Sequence, residues 1–162
     1  MVTNLPKRVQ KYQLKLPSES EVLEIIRYIV SRVAKGAGFG EEDVNKIELA
    51  VDEACANVVK HAYRPDESER PISIDIIVDA KSLTVIVADR GKGFNLARVK
   101  TPDLAKYIKQ GIAGGLGIHL MKSLMDEVDF EIKPGVGNQV RLVKHIIDQA
   151  NTAKQMKAKG KR

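Results

Sequence analysis

Three short segments, in fixed order, hold the residues of this chain that could do chemistry: Glu53-Ala54-Cys55-Ala56-Asn57, Asp89-Arg90-Gly91-Lys92-Gly93 and Gly114-Gly115-Leu116-Gly117. In the first, a carboxylate and a carboxamide four positions apart fall on one face of a helix, one turn from each other. An amide oxygen there is a good ligand for Mg²⁺, a hard cation that keeps several waters and bridges phosphates, and the carboxylate could take the proton of an attacking hydroxyl. In the second, Asp89 closes an apolar β-like run and could accept a hydrogen bond from an exocyclic amine such as adenine N6. Gly91 and Gly93 would let the backbone approach a base with no Cβ in the way. In the third, glycines at the mouth of a helix leave bare N–H groups that can hold phosphate. Together the three read as a nucleotide site. Taken singly, each has a plain structural reading: an exposed acid and amide on a helix, a strand ending in a tight turn, and a flexible joint before a helix.

The surrounding pattern predicts the elements that must carry them. Val9 to Leu16 alternates loosely and stops at Pro17, which suits a first strand. Ser18 and Glu21 have capping-box spacing, and Val22, Ile26, Ile29, Val30 and Val33 follow at helical period, predicting a helix over 19–35 that Gly36, Gly38 and Gly40 end. Glu41, Glu42 and Asp43 suit the first turn of a second helix, whose stripe of Ile47, Val51, Ala54 and Val58 extends to about His61. After a charged loop from Arg64 to Arg70, Ile72, Ile74, Ile76 and Val78 alternate with polar neighbours, as do Leu83, Val85 and Val87. These are two antiparallel strands joined near Ala80-Lys81, the second delivering Asp89. Residues 94–113, with Pro102 and several lysines, have the composition of a mobile loop holding a short helix around 103–109. A third helix then starts near Gly115 and reaches Asp126, and strands over 128–133 and 139–144 flank a Pro-Gly-Val-Gly-Asn turn. Helices segregated to one face of a mainly antiparallel sheet make an α+β sandwich.

Composition bounds the remaining possibilities. The 162 residues suit one domain able to bury its own core, with no internal repeat or linker. Apolar residues make up 43% and charged residues 30%, while 4% aromatic content and no tryptophan argue against a base-stacking nucleic-acid surface. Net charge is +6, but Lys154, Lys157, Lys159, Lys161 and Arg162 sit in a terminal stretch with no acid, so the rest of the chain is close to neutral. Residues 149–162 therefore read as a solvated basic tail and 1–148 as the domain. A single cysteine, Cys55, excludes an internal disulfide and fits a reducing, cytoplasmic setting, and no apolar stretch reads as a signal peptide or membrane span. His61, His119 and His145 share no metal-ligand spacing with one another or with Cys55, so all four are read as structural.

In order and spacing, the three segments resemble the N, G1 and G2 boxes of the GHKL ATP-binding superfamily, over about residues 9–145. Within it, Glu48 to Tyr63 and the closing Val140 to Lys144 look most like the bacterial anti-sigma-factor serine-protein kinases of the RsbW and SpoIIAB type. The resemblance implies a Bergerat-type two-layer α/β sandwich binding Mg-ATP beneath a lid at about 94–113. By matching positions, Asn57 would coordinate Mg²⁺, Glu53 would be the catalytic base and Asp89 would recognise adenine. Gly91, Gly93, Gly114, Gly115, Leu116 and Gly117 would shape the pocket and hold phosphates. It also implies a serine kinase acting on a STAS-domain anti-anti-sigma protein, a sigma factor as a second partner, and a homodimer through the first strand and first helix. Neither nucleic acid nor membrane is implied as a partner. A switch kinase of a stressosome or phosphatase-activating pathway, and a module that binds ATP only to grip its partner, are the rival readings. One departure stands out: many relatives carry a threonine near the final strand, and this chain reads Gly137-Asn138-Gln139. The phosphoacceptor helices of sensor histidine kinases and the transducer domains of gyrase-like ATPases have no counterpart here, so those functions are not expected.

Overall fold

Strict alternation writes the centre of the sheet. In β2 (Pro71–Val78) every second residue, Ile72, Ile74, Ile76 and Val78, is buried, and in β3 (Ser82–Asp89) Leu83, Val85 and Val87 face the same way. The computed structural model describes residues 8–93 and 116–147. Around these two strands it adds β1 (Gln10–Pro17), β4 (Glu127–Lys133) and β5 (Gly137–His145) in the order β1-β2-β3-β5-β4, every neighbouring pair antiparallel. Helices α1 (Val22–Gly36), α2 (Glu41–Asn57) and α3 (Leu116–Leu124) supply the second layer. α2 is the central one, packing on α1, α3, β3 and β5, and its Ile47, Val51, Ala54 and Cys55 meet the inward residues of the sheet in one core. The α+β sandwich expected from the pattern is the fold observed.

Three local departures have physical causes. The Ser18–Glu21 capping box does not form. The backbone N–H of Ser18 donates to Arg70 O at 2.7 Å, continuing the β1–β2 pairing, and the chain makes a tight turn before α1 begins at Val22 with no side-chain cap. Ser18 is buried, and its Oγ has no hydrogen-bond partner among the described residues. Sheet geometry thus overrides the capping signal. The second helix also does not run as α-helix to His61: it ends at Asn57 and widens into a π-helical turn over Val58–Ala62. Such turns are rare and frequently lie at functional sites, because the extra residue re-aims what precedes and follows it. Gly36 is still within α1, and Gly38, at φ 95°, makes the reversal that lets Phe39 N–H close back onto Ala34 O at 3.2 Å. The expected lid over 94–113, its short helix and the tail at 149–162 lie outside the described residues.

Lys144 ties the layers together. Its buried ammonium donates to Leu124 O, at the C-terminal end of α3, at 3.0 Å, and lies 3.7 Å from Asp43 and 3.6 Å from Asp126. A cation here satisfies an orphan carbonyl at the negative end of a helix dipole while neutralising two carboxylates. Lys144→Met should lower unfolding free energy by about 1–3 kcal/mol, since the carbonyl is left unpaired. A urea midpoint equal to that of the wild type would show that the contact is not stabilising.

Candidate functional site

The site forms where α2, α3 and the C-terminal end of β3 converge. Glu53 and Asn57 sit one turn apart on α2, both half-buried, beside the fully packed Ala54 and Val58. Gly117, in the first described turn of α3, lies directly against them. A Cβ at Gly117 would come within 2.8 Å of Glu53 Oε2, 3.6 Å of Asn57 Nδ2 and 3.8 Å of Asn57 Oδ1. The absence of a side chain there leaves room for the carboxylate and carboxamide to share one space. Leu116 is exposed at the start of this turn, while Gly114 and Gly115 lie outside the described residues.

Asp89 closes β3, half-buried, with its Oδ1 already engaged. That oxygen accepts the Gly91 N–H at 2.8 Å, an Asx-type turn, and Asn138 Nδ2 at 2.9 Å. Among the described residues no hydrogen bond reaches Oδ2. The turn that follows is held from several directions. Lys92 N–H donates to Ala62 O at 2.9 Å, and Gly91 O accepts both the Gly135 N–H and Asn138 Nδ2 at 2.9 Å. Gly91 lies against the end of the π-helical turn: a Cβ there would run into the Ala62 carbonyl, 2.5 Å from its carbon and 2.8 Å from the Ala62 Cβ. Gly93, at φ +66°, occupies the left-handed region, and a Cβ on it would meet Ile132 Cγ2 at 2.8 Å and Asn138 Oδ1 at 2.9 Å.

Two residues in this arrangement escape sequence reasoning as site residues. Tyr63, just past the π-helical turn, donates its hydroxyl to Pro71 O at 2.6 Å and accepts the Arg90 N–H at 2.9 Å, so one phenol latches the start of β2 to the residue after Asp89. Burial pushes its pKa up, keeping the hydroxyl a donor. No periodicity marks it, and only its place at the end of the helix beside the site could have drawn attention. Asn138, opposite Asp89 in the β3–β5 register, stands out in the sequence only as part of the Gly137-Asn138-Gln139 departure, with nothing there to mark Asp89 as its partner.

The donor set fits a hard divalent cation. Asn57 offers an amide oxygen, with the Glu53 carboxylate beside it, in a cradle that a Cβ on Gly117 would fill; among the described residues no cluster of three or more His, Cys, Asp or Glu could enclose a metal. A single amide oxygen is the kind of ligand Mg²⁺ takes, since that ion uses one or two protein ligands and completes its shell with water and phosphate oxygens. Cys55 is buried, and burial drives its thiol well above the usual range, so it is a packing residue. His61 and His119 are exposed, and His145 Nε2 lies 3.2 Å from Glu127, away from these segments. Among the described residues no helix is long and apolar enough to cross a membrane.

Known proteins resemble this chain in sequence and in fold. Residues 16–144 match the histidine kinase-like ATPase domain family. The serine-protein kinase RsbW of Bacillus velezensis is 37% identical over 155 residues, covering 90% of this chain and 94% of the relative. RsbW of Bacillus licheniformis is 37% identical over 136 residues, 80% of this chain and 84% of the relative. Among solved structures, the RsbU and RsbW domains of a Mycobacterium tuberculosis protein align with a TM-score of 0.60 at 16% identity, over 83% of this chain and 32% of that one, which speaks to the fold alone.

Proposed function

We infer that this chain, which belongs to the histidine kinase-like ATPase domain family and within it to the RsbW serine-protein kinases, transfers the γ-phosphoryl group of Mg-ATP to a serine of a STAS-domain anti-anti-sigma protein. When that partner is phosphorylated or absent, the chain holds a sigma factor instead. The observation that carries the reading is the packing of Gly117 against Glu53 and Asn57, which joins the segment suited to phosphates to the two side chains suited to a base and a metal ligand. In this reading Asn57 coordinates Mg²⁺ and Glu53 takes the proton of the attacking serine hydroxyl. The serine oxygen bonds to the γ-phosphorus as the bond to the β–γ bridging oxygen breaks, and ADP leaves with that electron pair. Positioning and charge neutralisation supply most of the rate. Gly91, Gly93, Gly114, Gly115 and Leu116 complete the pocket, and the reaction takes place in the cytoplasm. The outer edge of β1, which pairs with no other strand among the described residues, suits a homodimer, which sedimentation would detect as a doubled mass.

The direct test is incubation of the chain with γ-labelled Mg-ATP in extract of its own cells. Label on serine of one small protein is the expected result. ATP binding without any labelled protein would replace the kinase by a module that uses nucleotide only to grip its partner. The base-recognition half is tested separately. Asp89→Asn presents a donor as readily as an acceptor to the adenine amine, and should weaken ATP binding by roughly tenfold to a hundredfold, as loss of a charge-assisted hydrogen bond does. Unchanged affinity in a calorimetric titration would remove Asp89 from the base site.

A further inference from the structure

We propose that Asn138 is the positioning residue that fixes adenine selectivity, by locking one oxygen of Asp89 so that the other must face the base. The inference rests on the nucleotide-site reading above, with Asp89 as the acceptor for the exocyclic amine. Asn138 is 3% exposed, and its carboxamide is fully employed. Nδ2 donates to Asp89 Oδ1 at 2.9 Å and to Gly91 O at 2.9 Å, while Oδ1 accepts the Lys133 N–H at 3.0 Å. The assignment of the amide's ends follows from this network, because a carboxylate and a carbonyl can only be met by the NH₂ and a backbone N–H only by the oxygen.

The consequence for Asp89 is geometric. With the Gly91 N–H and Asn138 Nδ2 both on Oδ1, rotation of the carboxylate about χ2 would break two hydrogen bonds at a poorly solvated position, so Oδ2 has one direction in which to point. The same amide holds Gly91 O, and so sets the height of the glycine turn over which a base would lie. A hydroxyl at this position has a single donor and could not hold Asp89 and the Gly91 carbonyl together. Asn138 therefore couples the orientation of the acceptor to the position of the turn, and a base lacking the amine forfeits a preformed partner instead of a mobile one.

The test compares the affinity of the full chain for Mg-ATP with that for the Mg-complex of purine riboside triphosphate, identical but for the missing 6-amino group, in wild type, Asn138→Asp, Asn138→Thr and Asn138→Ser. Wild type should favour ATP by roughly tenfold or more, the scale of one buried hydrogen bond to a carboxylate. Asn138→Asp is nearly isosteric but turns an acceptor toward Asp89, and its preference should collapse toward parity. Threonine, with its single donor, should keep only part of it. Should Asn138→Asp not fold, the serine and threonine variants read the same ratio. Variants that keep the wild-type ratio while losing only thermal stability would overturn the proposal and leave the role of Asp89 standing. A wild type that does not distinguish the two nucleotides would overturn both.

Discussion

Glu53→Gln should lower the rate of phosphoryl transfer by roughly 10²–10⁴-fold while leaving ATP affinity within about twofold of wild type, the loss typical of removing a positioned general base. The substitution keeps the shape of the side chain beside Gly117, so the space the two share is not reopened, and it removes only the ability to hold a proton. Glu53→Ala should lose transfer as completely but, by emptying that space, should also loosen the contact between α2 and α3. The pair of variants therefore separates chemistry from packing: equal loss in both assigns the effect to the carboxylate. Single-turnover transfer to the isolated partner protein, with ATP binding measured in parallel, is the check. Transfer that survives in Glu53→Gln would mean the base lies elsewhere, and the reading of the first segment as catalytic would fall with it.

The same segment shows what a single sequence can and cannot display. Spacing of four on an amphipathic stripe was enough to place Glu53 and Asn57 together, because helix geometry alone fixes that relation. Alternation through Ile72–Val78 and Leu83–Val87 was enough to place Asp89 at a strand end, because the period of two leaves no other assignment. What stayed hidden depends on pairing between distant parts of the chain. Ser18 and Glu21 carry a sound helix-start signal, yet the Ser18 backbone is taken by Arg70 across the sheet, so the signal is never used. The widening of α2 over Val58–Ala62 has no local mark in Val58-Val59-Lys60-His61-Ala62, and its effect, bringing the Ala62 carbonyl to the Lys92 N–H, exists only once β3 has been placed. Tyr63 and Asn138 belong to the same class: their partners are 27 and 49 residues away in sequence. Local rules found the groups suited to chemistry, and non-local contacts supplied the groups that hold them still.

Gly91 is where those non-local contacts meet, and Gly91→Ala carries the largest expected effect on the fold of the site. The obstacle to a methyl group is the Ala62 backbone, and backbone cannot swing aside as the end of a long side chain can. Either the π-helical turn or the Asp89–Gly93 turn must move, and movement of either strains the Lys92–Ala62, Gly135–Gly91 and Asn138–Gly91 hydrogen bonds. Overpacking of this kind costs about 1–3 kcal/mol. At this chain length each kcal/mol shifts Tm by roughly 2–4 °C, so a fall of about 2–12 °C is expected. Because the Gly91 N–H also holds Asp89 Oδ1, ATP affinity should fall along with it. Gly36→Ala is the matched control: it lies at the end of α1 with nothing within 4 Å of a Cβ and no left-handed φ, and alanine there should leave Tm unchanged or raise it slightly. Thermal unfolding with and without Mg-ATP reads both consequences in one experiment. If Gly91→Ala melted like Gly36→Ala and was stabilised by nucleotide as the wild type is, the close approach of the two turns would not be what shapes the site.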